Sequence, residues 1–240
     1  MHHIGGEGDA VVLIHGFGAD RLGWIANSPA LLDTYAVWAA ELPGHGTAEP
    51  GPITPIDIAA ALAEMLPQSG GPIALIGHSL GGAIAGHLAA LLTDQIGKTV
   101  LIAPAGYGSG AVAADFLTNF SNLQSEEDAL AHLRQLVVRE RLIMPQMAQY
   151  VLKHLEKPGR REALAQIAEA ALNFERPALP KNMLVIWGEK DAINPPDTNW
   201  LKSLGDQAML LPQIGHLPHV EAATKVNRRI TDYLESQSGA

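Results

Sequence analysis

Six short runs in this chain are apolar at nearly every position, and that pattern limits the fold more than any other feature. They are Ala10–Ile14, Ala36–Ala40, Pro72–Ile76, Thr99–Ile102, Met183–Trp187 and Ala208–Leu211. A strand with one wet face alternates apolar and polar residues. A strand apolar throughout must be covered on both faces, which is the situation in a parallel sheet flanked by helices. Helical stretches lie between the runs. Pro55–Leu66 sets Ile58, Leu62 and Met65 on one face, and Leu80–Leu92 is small and apolar nearly all round. Val220–Leu234 is amphipathic, with Val226, Ile230 and Leu234 aligned. The expected fold is α/β, a doubly wound, mostly parallel sheet.

Between residues 107 and 181 no strand-like run occurs, only the helical patterns Ala129–Val138, Pro145–Leu155 and Arg161–Leu172. That is too long for an ordinary connection. The expectation is a core formed by residues 1–106 and 182–240, with 107–181 as a helical lid, an insertion and not an independent domain. Ligands of open α/β sheets bind at the C-terminal ends of the strands, where such a lid would lie. A plain extra helical layer is the alternative. Phe116, Phe120, Leu142, Met144, Met147 and Tyr150 give the insertion apolar surface, available either to a ligand or for packing against the body.

Composition narrows the function. The net charge of −9 argues against nucleic acid and against an anionic membrane surface. The absence of cysteine removes disulfides, thiolate metal sites and a thiol nucleophile. No two histidines sit at helical i,i+4 spacing with a third ligand in view, so no metal and no cofactor is expected. The opening MHHIGGEGDA has no basic segment leading into an apolar stretch, and no apolar run is long enough to span a bilayer. A cytoplasmic protein acting on a small-molecule substrate is expected, with the oligomeric state open.

The chemistry concentrates after the third run, in Gly77-His78-Ser79-Leu80-Gly81. A strand that turns abruptly into a helix strains the residue at the corner. Side chains two positions to either side would strike neighbouring backbone, and glycine removes them. Ser79 is thereby offered at a helix N-terminus, where amide groups and the helix dipole favour developing negative charge. A serine hydroxyl needs an oriented base, and the base needs an acceptor that fixes its tautomer. Asp191 follows the fifth run and His216 the sixth, so a parallel sheet delivers both to the edge that carries Ser79. His219 is the rival base, read as a cap or surface residue beside the last helix, and Asp197 is the rival acid, read as a helix-start residue. The Leu80 N–H and the Phe17 N–H, in His15-Gly16-Phe17-Gly18, are the candidate oxyanion donors. His45 and His78 are read as loop-building residues.

With HGFG, ELPGHG, GHSLGG, WGEKD and GHLPHVE in this order, nearly the whole chain resembles the α/β-hydrolase superfamily. The resemblance implies Ser79 as nucleophile, Asp191 as orienting acid, His216 as base, and Phe17 and Leu80 as oxyanion donors. Within the superfamily, the first glycine-rich loop and the ending Gly215-His216…Glu221 look most like two groups. One is the hydrolase-fold domain of the acetoin-cleaving-system dihydrolipoamide acetyltransferase, and the other is the C–C bond hydrolases of aromatic ring cleavage. The activity so implied is a serine hydrolase of small ester or related acyl substrates, with acyl transfer or C–C cleavage as alternatives. Two departures stand out. Only nine residues precede the first run, where the family usually has a strand hairpin, so an edge strand or two is expected to be missing or the chain to be part of something longer. The lipoyl domain of the acetoin-system enzyme has no counterpart here, so a swinging lipoyl arm would have to come from a partner.

Overall fold

The computed structural model describes residues 1–110 and 113–236; positions 111–112, in the expected insertion, and 237–240, at the end of the expected core, lie outside that description. In chain order the elements are β1 (His2–Gly5), β2 (Ala10–Ile14), β3 (Ala36–Ala40), α1 (Pro55–Ala63), β4 (Ile73–His78), α2 (Leu80–Leu91) and β5 (Ile96–Ile102). Then come four helices, α3 (Ala114–Phe120), α4 (Glu126–Arg134), α5 (Pro145–Leu155) and α6 (Arg160–Leu172). The chain closes with β6 (Met183–Gly188), α7 (Thr198–Ser203), β7 (Ala208–Leu211), α8 (Pro218–Glu221) and α9 (Ala223–Glu235).

The strands form one sheet in the order β1-β3-β2-β4-β5-β6-β7. β1 runs antiparallel to β3, and every other pairing is parallel. Successive residues of a strand point to opposite faces, which explains the unbroken apolar runs. Val12, Ile14, Leu75, Leu101, Val185 and Trp187 pack on one face with α1 and α2. Val11, Leu13, Ile76, Val100, Ile102, Leu184 and Ile186 pack on the other with Val226, Ile230 and Leu234 of α9. The helices between β5 and β6 carry an apolar cluster of their own, which includes Phe120, Leu133, Val151 and Leu164.

Several expectations shift. A seventh strand, β1, lies within the nine residues before β2; its pattern is too short and too exposed to register as a strand in sequence. α1 ends at Ala63, which leaves Met65 51% exposed and not on the buried face. The helix expected over Ala129–Val138 starts earlier, because the Ser125 hydroxyl accepts from Asp128 N–H (3.1 Å) and Glu126, Glu127 and Asp128 fill the first turn. The closing helix is interrupted at Ala222 into α8 and α9. Among the described residues no helix is long and apolar enough to cross a membrane.

Candidate active site

Because β2, β4, β6 and β7 run parallel, the loops that follow them gather at one edge of the sheet. Ser79 occupies the corner between β4 and α2 with φ 52° and ψ −116°, a conformation that costs a non-glycine residue about 1–3 kcal/mol. The corner is held from both sides: Ser79 N–H donates to the Ile102 carbonyl (2.8 Å), and the Ser79 carbonyl accepts from Gly82 (2.9 Å) and Ala105 (3.0 Å). A Cβ on Gly77 would lie 2.2 Å from the Gly81 carbonyl oxygen, and one on Gly81 would lie 2.2 Å from that of Ile14. Both glycines are therefore obligatory for the turn. Ser79 itself is half-buried at the start of α2.

Asp191 and His216 are both buried and are joined by a 2.7 Å hydrogen bond from His216 Nδ1 to Asp191 Oδ2. A carboxylate oxygen facing a ring nitrogen accepts from it, so Nδ1 carries a proton, and in the neutral ring that leaves the lone pair on Nε2. The carboxylate is fixed by three more donors. Trp187 Nε1 reaches Oδ2 (3.0 Å), while the N–H groups of Ile193 (2.9 Å) and Asn194 (2.8 Å) reach Oδ1. The backbone of the histidine is fixed as firmly. His216 N–H donates to the Leu136 carbonyl (2.8 Å). The buried Glu221 carboxylate accepts from Gly215 N–H (2.6 Å) through one oxygen and from Val138 and Arg139 N–H (3.0 Å each) through the other. Gly215 is required here for close approach: a Cβ would come within 2.7 Å of the Leu136 carbonyl oxygen.

His78, next to Ser79, turns its ring toward this assembly. Its Nε2–H donates to the His216 carbonyl (2.9 Å), and the two rings lie 4.8 Å apart. Among the described residues no hydrogen bond joins Ser79 Oγ to the His216 ring. The rival residues have other surroundings. Asp197 caps α7 by accepting from Asn199 and Trp200 N–H (3.0 Å each). His219 is buried, contrary to the surface position expected for it, because its ring packs at a tilt between those of Trp24 (4.8 Å) and His78 (4.6 Å). Burial, followed by the neighbouring His216, pushes its pKa down to about 3.

The loop that carries Phe17 lies directly against the serine corner, since a Cβ on Gly16 would sit 2.8 Å from His78 Nδ1 and 3.2 Å from Ser79 Cβ. His15 holds the loop in place: its Nε2 accepts from Leu42 N–H (3.1 Å), so Nδ1 carries the proton and donates to the Gly16 carbonyl (2.8 Å). His45 donates from Nδ1 to the Pro43 carbonyl (2.8 Å). Leu80, the other expected oxyanion donor, is the first residue of α2. The Phe17 ring packs edge-on against Phe120 of α3, 5.4 Å between centroids. Phe116 and Phe120 are buried, whereas Met144, Met147 and Tyr150 of the α5 region are exposed. Two of the basic residues of the insertion are structural: Arg160 donates to the Ala48 carbonyl and Arg161 to those of Ser121 and Leu123. Among the described residues no three His, Asp or Glu side chains gather to hold a metal ion.

Sequence reasoning did not find Glu221, Asn194 or the indole N–H of Trp187. Asn194 ties Asp191 to the end of β5, because its side-chain N–H groups reach the carbonyls of Ala103 (3.1 Å) and Pro104 (2.9 Å).

Residues 11–229 match the alpha/beta hydrolase family. The chain is 33% identical over 244 residues to the dihydrolipoyllysine-residue acetyltransferase component of the acetoin cleaving system of Pseudomonas putida. That alignment takes in 96% of this chain and 65% of the relative, so the chain spans less than two thirds of that protein's length. It is 30% identical to the pimeloyl-[acyl-carrier protein] methyl ester esterase of Neisseria meningitidis, over 94% of this chain and 92% of that one. Among solved structures, a 2-hydroxy-6-oxo-6-phenylhexa-2,4-dienoate hydrolase from a Rhodococcus species superposes with a TM-score of 0.80. It covers 96% of this chain and 92% of that chain at 19% identity, a likeness of fold.

Proposed function

The chain belongs to the α/β hydrolase family, and from that premise we propose that it is a serine hydrolase of small ester or related acyl substrates. The observation that carries the reading is the strained Ser79 corner at the same sheet edge as the buried Asp191–His216 pair. In this mechanism His216 Nε2 removes the Ser79 proton as Oγ attacks the substrate carbonyl. Asp191 holds the imidazole in the tautomer that leaves Nε2 free and stabilises the imidazolium that forms. The N–H groups of Phe17 and Leu80 receive the oxyanion. His216 then returns the proton to the leaving group, and water, activated by the same imidazole, releases the acyl group.

Residues 107–181 act as the lid of a core made by 1–106 and 182–240. This assignment is supported by the separate apolar cluster of α3–α6, on which Phe17 and Leu217 of the core pack. The esterase relative supports ester cleavage. The acetoin-system relative favours a second reading, transfer of the acyl group to a thiol. The test is turnover of a p-nitrophenyl ester by wild type and Ser79→Ala, with fluorophosphonate labelling. Loss of both turnover and labelling in a folded Ser79→Ala protein is expected, and persistent turnover overturns the assignment. Product partition between water and an added thiol separates hydrolysis from transfer.

A further inference from the structure

One side chain touches all three segments on which the proposed reaction depends. His78 is the immediate neighbour of Ser79. Its Nε2–H donates to the His216 carbonyl at 2.9 Å, across 138 residues of sequence. Its Nδ1 edge lies against Gly16, so closely that a Cβ there would sit 2.8 Å away. Its ring is enclosed by the rings of His216 (4.8 Å) and His219 (4.6 Å), and it is 5% exposed.

A carbonyl only accepts, so this contact requires a proton on Nε2 of His78. Burial, then the adjacent His219 and His216, hold the His78 pKa well below 6.5, which keeps the ring neutral with a single N–H to donate. An unbranched donor of similar reach could make the same bond. An apolar ring could fill the same space without making it.

We propose that His78 is a positioning residue whose imidazole fixes the backbone of His216 relative to the Ser79 corner and the Phe17 loop. The inference rests on the serine-hydrolase reading for its kinetic consequence, though not for its structural one. Misplacing a reacting group by an ångström costs on the order of 100-fold in rate. In His78→Phe, kcat for the p-nitrophenyl ester is therefore expected to fall about 100-fold with KM nearly unchanged, and His78→Gln, which restores an N–H, is expected to recover most of the loss.

The second arm needs no turnover. The proton on His216 Nδ1, held at 2.7 Å from Asp191, should give a low-field proton NMR resonance in the wild type and in His78→Gln. It should broaden through faster exchange in His78→Phe. Where His78→Phe does not fold, His78→Leu takes its place in both arms. A folded Phe or Leu variant with wild-type kcat and a sharp resonance overturns the proposal, as does a Gln variant as impaired as Phe. Turnover that survives Ser79→Ala would instead strike at the serine-hydrolase reading, and the NMR arm would still decide the role of His78.

Discussion

Replacing Asp191 by asparagine exposes the logic of the site, because the surrounding donors dictate how the amide must sit. Oδ1 faces two backbone N–H groups, Ile193 and Asn194. These can only donate, so the amide oxygen of Asn must take that place. The NH2 group is then forced into the Oδ2 position, against His216 Nδ1 and the Trp187 indole N–H. Facing a donor, His216 must accept at Nδ1 and carry its proton on Nε2, where it can no longer remove one from Ser79. A wrong-tautomer imidazole of this kind costs about 10⁴-fold in kcat in serine proteases, or about 5 kcal/mol of barrier at 1.36 kcal/mol per tenfold. The Trp187 indole N–H loses one of its two acceptors but still donates to the Asn194 carbonyl (2.9 Å), so the added stability cost is about 1 kcal/mol at most. For a chain of this size that is a fall in Tm of roughly 2–4 °C at most. The assay is kcat for a p-nitrophenyl ester, with a thermal melt on the same preparation. A folded Asp191→Asn protein within tenfold of wild-type kcat would refute the argument, because the tautomer would then not matter.

Three further outcomes follow from the same geometry. Ser79→Gly should be inactive yet more stable: relief of about 1–3 kcal/mol of backbone strain outweighs the roughly 0.5–1 kcal/mol that glycine's flexibility costs, and a melt should show a higher Tm. Glu221→Ala leaves the buried Gly215 N–H and the part-buried Val138 and Arg139 N–H groups without their carboxylate acceptor, at about 1–3 kcal/mol for the buried donor; a Tm drop of roughly 2–12 °C together with a lower kcat is expected, and an unchanged melt would show that the clamp is not needed. Acid should destabilise the fold through the buried histidines: unfolded imidazoles bind protons below about 6.5, whereas His45 and His219 stay neutral until about 3. Stability present above pH 6.5 is therefore lost progressively as pH falls from 6.5 toward 3, by about 2 kcal/mol for each histidine at pH 5; urea titrations at pH 7 and 5 measure it, and His219→Phe should reduce the difference by about 2 kcal/mol if it folds.

The parts of this molecule that the sequence made legible are those decided by neighbours along the chain. The serine corner is a steric problem confined to five adjacent residues, and Gly77 and Gly81 declare its solution. Six of the seven strands follow from runs that are apolar at nearly every position, fully buried at the centre of the sheet and partly so toward its edges. Asp191 and His216 could be singled out because parallel strands deliver their following loops to one edge. What stayed hidden depends on segments that meet only after folding. Nothing in Gly215-His216-Leu217-Pro218-His219-Val220-Glu221 announces that the last residue will grip Val138 and Arg139, 83 and 82 positions away. His219 misled for a related reason: a polar ring beside a helix suggests a surface, and only the packed structure supplies Trp24 and His78 as its walls. β1 escaped because an edge strand with two exposed central residues leaves almost no hydropathy signature.

The bond from His216 N–H to the Leu136 carbonyl, braced by Glu221, ties the segment proposed as the lid to the residue proposed as the base. A swing of the α4–α5 region wide enough to shift residues 136–139 must either drag the imidazole with it or break that tie. If residues 107–181 serve as the proposed lid, its position and that of the proposed base are therefore linked through this one contact. A chimera given a foreign insertion would keep His216 but lose the carbonyl and amide partners at residues 136–139 that anchor its loop.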